Sequence, residues 1–195
     1  MAGIISIEDG VRPEAASTIR SLRDMGIDDI QMLTGDNPKV ARVIAERVGI
    51  EKVWANLLPD QKAEHIRQLQ SQGRRVVMVG DGINDAPALA QANVGIAIGT
   101  GTDVAMEASD ITLIKGDLQG VVASIQLSKR TIRTIRQNLF WAFFYNTAGI
   151  PVAAGVLYPL FGILLNPILA SAIMAFSSVS VVSNSLRLRR FRFTS

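Results

Sequence analysis

The sequence predicts an α/β domain built on a parallel sheet, followed by a pair of apolar helices. Two observations carry this. Short β-branched runs alternate with amphipathic stretches from Ile4 to Leu113, the pattern of strands joined by covering helices. From Gln137 to Leu186 there is no Asp, Glu, Lys or Arg. A bilayer core of about 30 Å takes about 20 helical residues to cross, so this stretch is too long for one crossing and suits two with a turn.

In the first half, Ile4–Ile7 reads as a strand and Pro13–Met25 as a helix, with Pro13 suited to the first turn. Asp29–Leu33 reads as a strand, and Val40–Val48 as a helix stopped by Gly49. A short strand at Lys52–Ala55 precedes a helix over Asp60–Gln70 that ends near Gly73. Arg75–Val79 is a strand, Asp85–Gln91 a helix, and Val94–Ile98 and Ile111–Leu113 two further strands. Strands alternating with helices imply a parallel sheet with helices on both faces, whose chemistry gathers at the carboxyl ends of the strands.

Charge divides the chain. All 17 acidic residues lie between Glu8 and Asp117. The apolar stretch is instead flanked by cations only: Lys129, Arg130, Arg133 and Arg136 before it, Arg187, Arg189, Arg190 and Arg192 after it. This distribution points to a membrane rather than to nucleic acid. The spans fall near Asn138–Tyr158 and Pro167–Ser185, with the turn around Gly162 and Asn166. Positive flanks stay on the cytoplasmic side, so both ends of the chain are expected there. The absence of cysteine excludes a disulfide framework, a zinc–cysteine site and thiol catalysis, and His65 is the only histidine.

Three strings that follow strands or open a helix carry candidate chemistry. Thr34-Gly35-Asp36 follows one strand, and Gly80-Asp81-Gly82-Ile83-Asn84-Asp85 follows another. Pro59-Asp60-Gln61-Lys62 opens a helix between them. A Thr hydroxyl with neighbouring amides holds phosphate oxygens, a lysine neutralises a transferring phosphoryl group, and carboxylates suit Mg²⁺. The glycines at 80 and 82 are expected to let the backbone turn tightly. Singly each string is weak: Thr-Gly-Asp is a common turn, and a lysine such as Lys62 is more often a solvated helix lysine. Gly99-Thr100-Gly101-Thr102-Asp103 reads as a turn with Thr102 or Asp103 capping a helix. His65, on the Lys62 face, reads as a surface residue.

In the apolar half Tyr145, Asn146, Met174, Ser177, Ser178 and Ser180 interrupt the hydrocarbon character. They read either as hydrogen-bonding glue between helices or as a pathway for a polar cargo. A thioether beside hydroxyl and amide oxygens is a soft ligand set of the kind that selects Cu(I).

Met32-Leu-Thr-Gly-Asp-Asn37 and Met78-Val-Gly-Asp-Gly-Ile-Asn-Asp-Ala-Pro-Ala-Leu-Ala90 resemble the phosphorylation-domain motifs of P-type ATPases, a domain of the haloacid-dehalogenase fold. The resemblance extends through Asp9-Gly-Val-Arg-Pro13, Pro59–Lys62 and Asp103–Asp110. It implies that Thr34, Gly35, Asp36, Lys62 and Asn84 serve phosphoryl transfer from ATP. Thr34, the Gly35 amide and Lys62 would hold the phosphate, and Asp81, supported by Asp85, would bind Mg²⁺. The last spans resemble those of copper(I)-exporting members, in which Tyr145, Asn146, Met174 and Ser178 match positions tied to Cu⁺.

The expected organisation is part of a Rossmann-like phosphorylation domain (1–117), a connecting helix (118–137), two membrane helices (138–186) and a basic tail (187–195). The expected protein is a multi-pass pump of the plasma membrane. Its expected partners are the bilayer, the rest of the same pump and a copper chaperone, with no role for nucleic acid. The string Asp-Lys-Thr-Gly-Thr, which supplies the phosphorylated aspartate of that family, does not occur in these residues. The chain is therefore expected to be the C-terminal portion of a longer protein and inactive alone. Two alternatives remain open: a membrane-anchored phosphatase using Asp9, and a non-catalytic membrane partner.

Overall fold

The computed structural model describes residues 11–99, 103–155, 158–162 and 167–190. The strand expected at Ile4–Ile7 lies outside them, as does Asn166 of the expected turn. The chain divides into two compact units, 1–122 and 123–195.

The first unit is α/β. Its elements are α1 (Ala15–Asp24), β1 (Gln31–Leu33), α2 (Pro38–Val48), β2 (Lys52–Trp54), α3 (Pro59–Ser71), β3 (Val77–Gly80), α4 (Ala86–Gln91), β4 (Val94–Ile98), α5 (Asp103–Glu107) and β5 (Ile111–Leu113). The strand pairing is parallel throughout, as the alternation of elements requires. It is divided between two sheets among the described residues: β1–β2, and β3–β4–β5. The expected helix over Pro13–Met25 begins later, at Ala15, so Pro13 lies ahead of it.

Local sequence accounts for the helix ends. Asn37 accepts backbone hydrogen bonds from Lys39 (3.0 Å) and Val40 (3.1 Å), with Pro38 at the first helical position of α2. Gly49 ends α2 in the left-handed conformation at φ 82°, which costs glycine no Cβ clash. At the start of α3 the Gln61 side chain accepts from the Leu58 amide at 2.8 Å. The start of β4 is locked to Asp110: the Gly95 amide donates to its carboxylate at 2.8 Å, and the Asp110 amide donates to the Gly95 carbonyl at 2.9 Å.

The core joins the two sheets. Ile66 of α3, Met78 of β3 and Ala88 and Leu89 of α4 form a buried cluster, and Leu33 of β1 packs against it. Helix α3 thus serves both sheets from one face. Gly95 allows α4 to approach β4, since a Cβ there would stand 2.7 Å from the Leu89 carbonyl oxygen.

The second unit is helical. One helix, α6 (Gln119–Ala153), begins in the first unit, capped by the Asp117 carboxylate on the Gln119 amide at 2.8 Å. The expected connecting helix and the first expected span form one continuous helix. It carries Pro151 in its last turn, where the ring supplies no amide for the hydrogen bond to the carbonyl four residues back. A short helix, α7 (Tyr158–Phe161), follows, and α8 (Pro167–Leu186) covers the expected second span. Among the described residues no helix is long and apolar enough to cross a membrane.

Helices α6 and α8 meet at a polar contact. The Asn138 amide donates to the Ser185 hydroxyl (2.9 Å), and the Asn184 amide donates to the Asn138 carbonyl (2.8 Å) and, longer, to Gln137 (3.4 Å).

Gly95→Ala is expected to lower stability by about 1–3 kcal/mol through forced displacement of α4. Gly82→Ala, with nothing nearer than 4.0 Å, should cost far less. Urea unfolding of both variants, followed by circular dichroism, checks the contrast.

Candidate active site

Chemistry-bearing residues follow β1 and β3 at their carboxyl ends. Beyond β1, the Thr34 hydroxyl donates to the Asp36 carboxylate at 2.9 Å and accepts from the Asp36 amide at 3.1 Å. The loop is tied to the end of β2, because the Thr34 amide donates to the Trp54 carbonyl (2.9 Å) and the Asn56 amide to the Asp36 carbonyl (2.8 Å). Gly35 is exposed, and a Cβ there would meet the Leu57 carbonyl oxygen at an ordinary 3.5 Å.

Beyond β3 lies the strongest interaction of the site. Lys62 Nζ donates to Asp85 Oδ1 at 2.7 Å, with side-chain exposures of only 11% and 16%. The solvated reading of Lys62 is thereby excluded. Burial this deep makes each charge costly without the other. Asp85 closes the 3₁₀ turn Ile83–Asp85, and its amide donates to the Gly82 carbonyl at 3.0 Å. Asp81 and Asn84 are exposed on the same loop.

The glycines of this loop act differently from expectation. Gly82 is extended (φ −131°, ψ 172°), and neither Gly80 nor Gly82 has a positive φ. Gly80 is needed for space: a Cβ there would lie 2.7 Å from both the Cβ and Oδ2 of Asp85. The missing side chain is the seat of the carboxylate that holds Lys62. Sequence reasoning assigned Gly80 to a turn; its position five residues before a partly buried Asp was the available signal.

His65 is not a surface residue. It is half-buried, hydrogen-bonded through Nε2 to the Gln31 carbonyl at 3.0 Å, and its ring lies 4.4 Å from that of Trp54. Gln31 also accepts from the Trp54 indole (3.0 Å), and its amide reaches the Asp29 carboxylate (3.2 Å). An amide oxygen only accepts, so neutral His65 carries its proton on Nε2. Burial lowers the His65 pKa, opposed by the charge of Asp29. The hydrogen bond from Lys52 (2.7 Å) holds the Asp29 carboxyl below its ordinary range, assisted by Gln31 and by the charge of Arg74, which also pairs with it. Gln31 escaped the sequence reading because nothing in its local pattern marks it.

No group of three or more His, Cys, Asp or Glu able to hold a metal occurs among the described residues. Asp81 offers open carboxylate oxygens, while one oxygen of Asp85 is engaged by Lys62. That donor set fits Mg²⁺, which binds through one or two carboxylates and completes its shell with water and phosphate oxygens.

In the second unit the Tyr145 ring packs on Trp141 (6.0 Å between centroids) and Phe144 (6.2 Å), and Asn146 and Ser178 are exposed. The Met174 side chain lies outside the described residues. Tyr145 and Ser178 are each seven residues along their helices from the Asn138–Ser185 contact, about 10 Å of rise in each helix.

The first unit has the α/β fold of the haloacid dehalogenase-like hydrolases, whose family matches residues 1–93. The chain is 64% identical over 192 residues to the probable copper-transporting ATPase PacS of Synechococcus elongatus, which covers 98% of this chain and 26% of that protein. It is 56% identical over 189 residues to a copper-exporting P-type ATPase of Vibrio cholerae, covering 97% of this chain and 20% of the relative. Among solved structures, a zinc-transporting PIB-type ATPase in its E2.Pi state matches with a TM-score of 0.79 and 39% identity, over 93% of this chain and 28% of that one. The chain belongs to the P-type ATPases, and it spans about a quarter of the length of these relatives.

Gly80→Ala should dislodge Asp85 and free Lys62, raising its rate of modification by an amine-directed reagent at least about tenfold; peptide mass spectrometry reads the rate at Lys62. His65 supplies a pH test. Its pKa is depressed on folding, so its contribution is complete above the unfolded value and is lost as pH falls below about 6.5. Urea midpoints measured from pH 7.5 downward should fall for the native chain, and fall less for His65→Gln.

Proposed function

We propose that this chain supplies part of the phosphoryl-transfer machinery and two membrane helices of an ATP-driven copper(I) exporter. The observation that carries the reading is the sequestered Lys62–Asp85 pair beside the open carboxylate of Asp81, at the carboxyl end of β3. High identity to copper-transporting relatives along nearly the whole chain supports the choice of metal over zinc.

In this reading the Thr34 hydroxyl and the Gly35 amide receive oxygens of a phosphoryl group, which requires Thr34 to turn from Asp36. Lys62, aimed by Asp85, sets a positive charge beside that group, and Asn84 donates a hydrogen bond near it. Asp81 and Asp85 hold Mg²⁺, which neutralises phosphate charge when bound. Low solvent exposure raises the effect of Lys62, since charge interactions strengthen where water is excluded. The acceptor aspartate comes from a segment other than these residues.

Helices α6 and α8 cross the membrane as a hairpin with both ends cytoplasmic, a placement supported by cations at both flanks and by the uncharged stretch between them. Tyr145, Asn146, Met174 and Ser178 are the candidate ligands of Cu⁺, the transported substrate. Helix α6 continues without a break from the end of the first unit into the stretch that carries Tyr145 and Asn146.

The test joins these 195 residues to a segment carrying Asp-Lys-Thr-Gly-Thr and the remaining pump domains. Cu⁺-stimulated ATP hydrolysis is expected, and Asp81→Ala should lower it by about 10²–10³. The 195 residues alone should form no aspartyl phosphate from ATP. Stimulation by Zn²⁺ in place of Cu⁺, or full activity in Asp81→Ala, would overturn the assignment.

A further inference from the structure

The loop after β1 is shaped by a fault in the β1–β2 ladder. These strands pair in parallel with Leu33 opposite Trp54, so the ladder's next pair is Thr34 with Ala55. A regular parallel ladder bonds Thr34 to both neighbours of Ala55: its amide to the Trp54 carbonyl, its carbonyl to the Asn56 amide. The first bond is made, at 2.9 Å. The second is replaced. The Thr34 carbonyl accepts from Leu57, one residue late, at 3.0 Å, and the Asn56 amide reaches the Asp36 carbonyl at 2.8 Å. The β2 side has taken in one extra residue, a bulge at the strand end.

The bulge turns on Asn56. Among the described residues it is the only one besides glycine with a positive φ, 54°. Asparagine enters this left-handed region more readily than other side chains, and a β-branched residue does so only as an outlier. Its side chain is exposed, so what the position contributes is backbone shape. The shape has a consequence across the loop. In a planar trans peptide the carbonyl and the following amide point in opposite directions. Tying the Thr34 carbonyl to Leu57 therefore turns the Gly35 amide away from the 56–57 turn, and tying the Asp36 carbonyl to Asn56 does the same for the Asn37 amide. The two carbonyls that would repel an anion are occupied, and the amides that attract one are turned outward.

We infer that Asn56 is a positioning residue for phosphoryl binding: its left-handed backbone makes the bulge that holds the Gly35 amide outward for a phosphate oxygen. A regular ladder would spend the Asn56 amide on Thr34 and leave the Asp36 carbonyl without it. The left-handed conformation persists because three hydrogen bonds, Thr34 to Trp54, Asn56 to Asp36 and Leu57 to Thr34, over-determine the turn. The inference rests on the reading of Thr34 and Gly35 as the seat of the phosphoryl group.

The test uses the pump reassembled from these 195 residues and the remaining domains, with inorganic phosphate as the probe. The quantity read is the inhibition constant of phosphate against Cu⁺-stimulated ATP hydrolysis. Only molecules that turn over report that constant, so loss of folded protein lowers the rate and leaves the constant unmoved. Asn56→Gly keeps the left-handed turn and should leave the constant within about twofold. Asn56→Val should raise it at least about tenfold, the worth of one hydrogen bond to a charged oxygen. Asn56→Ala should raise it by less, and carries the test if valine prevents folding. A constant unmoved in the alanine and valine variants, with only the rate or the urea midpoint lowered, would make the turn purely structural and overturn the inference. A rise in Asn56→Gly equal to that in Asn56→Val would assign the effect to the side chain and overturn it as well. Hydrolysis indifferent to Asp81→Ala with Asn56 intact would instead strike down the phosphoryl-site reading beneath it.

Discussion

The ion pair between Lys62 and Asp85 is the constraint on which the first unit turns. Removing one partner of a pair this sheltered leaves an uncompensated charge, at a cost of about 3–5 kcal/mol. Both charges persist because each is seated by its surroundings: Asp85 occupies the space that Gly80 leaves, and Lys62 projects from a helix whose neighbouring Ile66 is buried in the core. The local backbone, the core and the charge pair therefore specify the same arrangement. That agreement across levels is what gives a site a single geometry.

Much of the architecture was legible because the relevant physics is local. Gly49 stops a helix by its left-handed φ, Asn37 with Pro38 starts one, and β-branched runs mark β4 and β5. The division of the parallel strands into two sheets was not legible, since hydrogen bonding between strands is set by distant segments. Helix α6 runs on through the change from charged to apolar composition at Gln137, because backbone hydrogen bonds continue across it without regard to side-chain polarity.

The candidate site divides along the same line. Thr34, Lys62, Asp81 and Asp85 were marked by the strings they stand in, and the contact of Lys62 with Asp85 gives one of those strings a physical connection to another. Gly80 was noticed for the wrong reason, because a glycine that makes room and a glycine that turns look alike in sequence. His65 was misjudged, and Gln31 was invisible. Their roles come from a three-way contact with Trp54, in which Gln31 meets residues 23 and 34 positions away.

That three-way contact has a mechanical consequence. Lys62 and His65 are one turn apart on the same face of α3, yet they grip different neighbours: the loop after β3 and the β1–β2 ribbon. A stiff rod fastened at two such points moves as a crank. Any screw motion of α3 that withdraws the ammonium from Asp85 also drags the imidazole across the indole face, so the two fastenings loosen together.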